Sequence, residues 1–149
     1  MDANTLLQFK DLGAAGALAL AAAGSALGAG AAGMAAVGAW KKCFAQNKNA
    51  PFILTAFVGA PLSQTIYGMI VMNALIDMAN KGQFMAGAGI LSGFAMGMSA
   101  WMQGKAGAAA ADAMAETGKG FGNYLMVLGV IETVALFVMV FILMAAGKL

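Results

Sequence analysis

Four long runs of small and apolar residues dominate this 149-residue chain, parted only by short polar segments. Each run reaches the ~20 residues that a helix needs to cross ~30 Å of hydrocarbon. They fall at about 12–40, 50–76, 84–111 and 121–146. With 62% of residues hydrophobic and 9% charged, the chain lacks the polar surface that a soluble domain would present. The expected fold is an all-α membrane protein, one membrane domain over 1–149 with four transmembrane helices. Short connections make consecutive spans antiparallel neighbours, so the helices pair as two hairpins, about 1–77 and 82–149.

Charge excludes several functions. Eight Lys against six acids give +2, with no Arg and no His, so nothing points to phosphate or nucleic-acid binding. The expected partners are lipid and protein. A single cysteine, Cys43, cannot close an intrachain disulfide, and its place in the polar stretch after the first run reads as a free thiol. The N-terminus has no basic leader, and Lys10-Asp11 precede the first run, so that span is expected to remain in the mature protein. Residues 2–11 and the tail Gly147-Lys148-Leu149 carry no motif and read as solvated ends.

The two hairpins look like a degenerate repeat, each opening with a Gly/Ala-rich helix and closing with a bulkier one. Gly24 and Gly28 make a small-x-x-x-small pair in the first run, and Gly89, Gly93 and Gly97 repeat that spacing in the third. Glycine at this density weakens a helix in water, whereas in lipid it lets two backbones approach closely. A compact four-helix bundle uses such residues too. Their segregation into alternate spans also suits a closed ring of copies, slim helices inside and wide ones outside. Lys41, Lys42, Lys48, Lys105 and Lys119 lie near the hairpin loops, against Lys10, Lys81 and Lys148 at the other end. By the positive-inside rule the hairpin loops face the cytoplasm and both termini the opposite side.

Within these runs one acid stands deep, Glu132 in Val130-Ile131-Glu132-Thr133-Val134. A charged group at mid-bilayer costs about 2.5–3.5 kcal/mol on insertion scales, so it must be neutralised or paired. The plain alternative is interhelical hydrogen bonding alone. The second span carries Pro61-Leu62-Ser63-Gln64-Thr65-Ile66-Tyr67, where proline withholds a backbone donor and loosens the carbonyl of Phe57. Ser63, Gln64 and Tyr67 share one side of that helix, and the third span adds Gln103. Taken singly, such residues are ordinary interhelical glue. Together with a carboxylate they form an oxygen-only set of the kind hard cations take.

The glycine helix with Gly24-Ser25-Ala26-Leu27-Gly28, the stretch 61–68, Gln103-Gly104-Lys105 and Glu132-Thr133 resemble, in that order, the proteolipid of V-type ATPases. This is the K or c subunit with two fused hairpins, in particular its bacterial sodium-transporting form. The resemblance implies that Na+ is held by Glu132, Ser63, Gln64, Gln103 and the backbone carbonyl of Ala60, with Tyr67 closing the site. Ser63 stands where the sodium-type motif has Thr, and Ala60 where it has a larger apolar residue. It further implies a non-catalytic rotor-ring subunit in the bacterial cytoplasmic membrane, with ATP hydrolysed elsewhere. Its partners would be identical subunits, a stator subunit bearing an arginine, and central-stalk subunits at the cytoplasmic loops. No Gly-x-x-x-x-Gly-Lys-Ser/Thr occurs, in keeping with that division of labour. Two alternatives are a proton-carrying rotor subunit of the same family and a small dimeric proton-coupled antiporter.

Overall fold

The structure is a computed structural model that describes residues 3–147, with side-chain surroundings given for Thr5 and from Leu12 onward. It is helical with no strand among the described residues. Helix α1 covers Ala3–Ala45, α2 Thr55–Gly59, α3 Ser63–Asn80, α4 Ala86–Thr117 and α5 Phe121–Ala145. Single 3-10 turns, Phe52–Leu54 and Ala60–Leu62, flank α2, so the second rod is a chain of short pieces before it becomes the regular helix α3. Pro61 explains the break: its nitrogen cannot donate, and the turn tightens around it.

Among the described residues three rods are long and apolar enough to cross a membrane: Leu12–Ala45, Phe52–Asn80 and Phe121–Ala145. The third expected span, 84–111, is not among them. Helix α4 has ample length at 32 residues, but Gly, Ser, Gln103 and Lys105 dilute its hydropathy. It also runs on past 111, because Asp112 and Glu116 remain helical and Gly118, in the left-handed region at φ 66°, supplies the stop. Helix α1 likewise extends beyond 40 to Ala45. Cys43 therefore sits on a helix and is buried, not in a polar loop. Lys42 donates to Asp112 at 2.8 Å and lies 3.7 Å from Glu116, tying the two Gly/Ala helices at an exposed end. Of the lysines used for orientation, the Lys10 side chain and all of Lys148 lie outside what is described, as does Asp2.

The contacts fix how the rods lie. A Cβ added at Gly24 would land on the backbone of Gly97, one at Gly89 on Gly13, and one at Gly104 on Gly28. Helices α1 and α4 are thus parallel, side by side at backbone contact, as only glycine allows. Gly68 of α3 faces Ala17, Leu18 and Ala21, while Pro61 lies against Gly28, so α3 runs antiparallel to α1. Helix α5 packs on α4 and α3, and it is the least covered rod, with only Leu128 and Ala135 fully buried. Slim helices form one side and bulky ones the other.

Apolar packing divides into two clusters. One gathers Ala17, Ala21, Val71, Leu75, Met96 and Ala135, and the other Ala36, Leu54, Phe57, Ala110, Ala111 and Leu128. The second includes an aromatic contact, Phe57 on Phe121 with ring centroids 5.5 Å apart. Every long helix passes from one cluster toward the other, and in between come Ser25 on α1, Gln64 on α3, Ser99 and Gln103 on α4, and Glu132 on α5. The sequence thus places a single polar layer between two apolar ones.

Candidate functional site

Glu132 projects from α5 between Leu128 and Ala135, the two residues of that helix that are fully buried. Its own side chain is only half-buried. Both carboxylate oxygens have donors: the Tyr67 hydroxyl reaches Oε1 at 2.8 Å, and Gln103 Nε2 reaches Oε2 at 3.2 Å. Charge-assisted bonds of this kind are the strong ones, and they satisfy a carboxylate that lipid would not.

Gln103 is the hub of the layer. Fully buried, it also donates from Nε2 to the Leu128 carbonyl at 3.0 Å, and its Oε1 accepts from Gln64 Nε2 at 2.8 Å. Gln64, equally buried, accepts at its own Oε1 from the Ser63 hydroxyl at 3.2 Å. That hydroxyl also lies 3.2 Å from the Ala60 carbonyl, at the proline-broken turn. One connected chain of hydrogen bonds therefore runs from Ala60 through Ser63, Gln64 and Gln103 to Glu132, with Tyr67 closing from α3.

All six residues singled out in the sequence for this site lie in that network. The five glycines Gly24, Gly28, Gly89, Gly93 and Gly97 lie instead at the α1–α4 contact, and they set how near α4 can bring Gln103 to the other helices. The Phe57 carbonyl, released by Pro61, faces α4, where a Cβ at Gly107 would meet it at 2.9 Å. Thr133, adjacent to Glu132, turns to its own helix and donates to the Val130 carbonyl at 2.7 Å, taking no part.

Sequence reasoning passes over Ser99. Its hydroxyl donates to the Ile131 carbonyl at 2.9 Å, directly before Glu132 in the chain. The available signal is its spacing: Ser99 and Gln103 are one turn apart on α4 and so share a face. Among the described residues no three His, Cys, Asp or Glu side chains come together, so a transition-metal centre has no ligands here. The two groups that reach Glu132 are a phenol hydroxyl and an amide N–H.

Fold and site together define a helical-hairpin protein with membrane-length apolar rods and a carboxylate held by one amide and a phenol at mid-rod. Residues 86–145, the α4–α5 hairpin, match the family model of the ATP synthase C subunit. The matched stretch contains Gln103 and Glu132, and stops short of α1 and the proline-marked α3. No curated protein matches the chain.

Proposed function

We propose that this protein is an ion-carrying component of the membrane rotor of a V-type ATPase, with Na+ as its cargo. The observation that carries the reading is Glu132 at mid-rod, faced by Tyr67 and Gln103, in a hairpin that matches the family of ATP synthase rotor proteolipids. Identical copies stand in a ring, the slim α1–α4 pairs inside and α3 and α5 outside. The α5 side chains left exposed, Met126, Val130, Val134, Phe137 and Phe141 among them, suit lipid or a neighbouring copy. Paired with α1, the less apolar α4 crosses the bilayer too. Hairpin loops face the cytoplasm, where central-stalk subunits dock, and the host membrane is the bacterial cytoplasmic one.

Loading works through charge. A bare carboxylate cannot pass along lipid cheaply, whereas one neutralised by a cation can. Glu132 takes up an ion from one half-channel, travels neutral, and gives it up on meeting an arginine of the static subunit. Carrying one charge against 100 mV takes about 2.3 kcal/mol, supplied by ATP hydrolysis on other subunits. Terminal amide torsions are broad and two-fold, so Gln103 and Gln64 each offer either N–H to the carboxylate or oxygen to a cation. With Ser63 and the Ala60 carbonyl they complete an oxygen cage around Na+. A proton as cargo is the second reading, favoured by the direction of the Gln103 amide, which presents Nε2 to Glu132.

Carbodiimide labelling of Glu132 in the purified assembly separates these. On the sodium reading NaCl slows labelling, at a pH where the carboxyl reacts, and KCl does not. Equal rates in both salts would leave the proton as cargo. Detergent-solubilised protein that stayed dimeric would sink the rotor and favour the antiporter.

A further inference from the structure

Mid-helix serines ordinarily turn their hydroxyl back to a carbonyl of their own helix. Ser92 does this within α4, donating to the Gly89 carbonyl at 3.0 Å. Ser99, two turns on and equally buried, instead crosses to α5 and donates to the Ile131 carbonyl. Ser25, buried in the same layer on α1, has a hydroxyl with no hydrogen-bond partner, so burial alone does not produce such a tie.

Helix α4 holds α5 by two rungs. Ser99 takes the Ile131 carbonyl and Gln103 the Leu128 carbonyl, and Glu132 follows directly on the first of these. Each residue of an α-helix turns by about 100°, so a slip of α5 by one residue would swing the carboxylate out of the layer. The rungs are not equivalent. Gln103 also serves Glu132 and Gln64, and an amide that turns its oxygen to a cation withdraws the N–H given to Leu128. The Ser99 hydroxyl bonds the Ile131 carbonyl and serves no other side chain of the layer. It can hold α5 while Gln103 changes partners.

We infer that Ser99 is a positioning residue for the ion site, fixing the rotation and height of α5 so that Glu132 stays in register with Gln103 and Tyr67 through loading and release. The inference rests on the ion-carrier reading above, but its test does not need sodium to be the ion. Glu132 labelling by carbodiimide is followed across pH in the assembled wild type, Ser99→Ala, Ser99→Thr and Ser92→Ala, with and without NaCl. Ser99→Ala should label about fivefold faster, the factor that one ordinary hydrogen bond is worth. Ser92→Ala should stay within about twofold of wild type, and Ser99→Thr, which keeps the hydroxyl, should restore the wild-type profile. A Ser99→Ala profile equal to that of Ser92→Ala would overturn the assignment. Should Ser99→Ala not assemble, Ser99→Cys keeps the volume with a weaker donor, and the same comparison decides. If NaCl changes no variant the sodium reading falls, while the rate contrast between positions 99 and 92 still settles the role of Ser99.

Discussion

Replacing Gln103 by Leu keeps much of its volume and removes every polar contact that passes through the hub. Glu132 Oε2 loses its 3.2 Å donor, Gln64 Nε2 loses its 2.8 Å acceptor, and the Leu128 carbonyl keeps only its place in the helix. On the sodium reading the oxygen that Gln103 turns to the cation is lost as well, and at about 1.5–3 kcal/mol for a contact to a charged group ion affinity should fall about ten- to a hundredfold. The orphaned Gln64 amide, with no exposed surface, should lower stability by a further ~1–3 kcal/mol. Equilibrium binding of radioactive Na+ to the purified assembly reads the first effect, and thermal unfolding the second. The two are separable, because Gln64→Leu combined with Gln103→Leu removes both partners of the buried pair, and apolar replacement of both is close to neutral. Stability should then recover while affinity does not. An isotherm for Gln103→Leu within twofold of wild type would refute the hub. So would a double variant no more stable than Gln103→Leu.

Gly97→Val puts a side chain where even a Cβ would strike the Leu20 carbonyl; it should cost more than the ~1–3 kcal/mol of ordinary overpacking, seen as a lower melting temperature and a poor yield of assembly. Gly87→Ala, where a Cβ meets nothing within 4 Å, should change stability by less than about 1 kcal/mol. Glu132→Gln keeps the size and an oxygen for Tyr67 but removes the charge that loading neutralises, so it should assemble and not transport; ion flux into vesicles checks this, and active transport would remove the residue's central role.

Much of this was legible where physics leaves few choices. Runs without charge must be helices in lipid, and an acid among them has to find partners. Proline at 61 marks the broken rod, but it does not by itself announce that a 3-10 turn stands on each side of α2. Asp112 and Glu116 read as loop residues because they are charged, but they lie on the final turns of α4, where Lys42 of the neighbouring helix pairs with them. Cys43 is misplaced for the same reason, since Lys41-Lys42 suggest an end that α1 does not observe. Ser63, Gln64 and Tyr67 share one side of α3 and are legible by spacing, but Gln103 and Glu132 stand on other helices, and no sequence period links them to that set, so their grouping rests on the ordered resemblance. Ser99 stays hidden, as a serine inside a helix has an acceptor within its own helix and only the approach of α5 decides otherwise.

The division of the site between helices bears on how it works. Gln64 and Gln103 sit on α3 and α4 with no exposed surface, whereas Glu132 stands on the least covered rod and is itself half-exposed. The fixed partners therefore belong to the packed interior, held by backbone contacts between α1 and α4 that cannot open without separating glycine from glycine. The carboxylate belongs to the rim. In the function proposed above, a carboxylate so placed exchanges a tyrosine and an amide for a cation without breaking either apolar cluster. Placing the acid on the glycine face of α1 or α4 would put it against a neighbouring backbone. The glycine helices and the carboxylate thus belong to one arrangement: closeness on one side fixes where Gln103 stands, and openness on the other leaves Glu132 within reach of a partner.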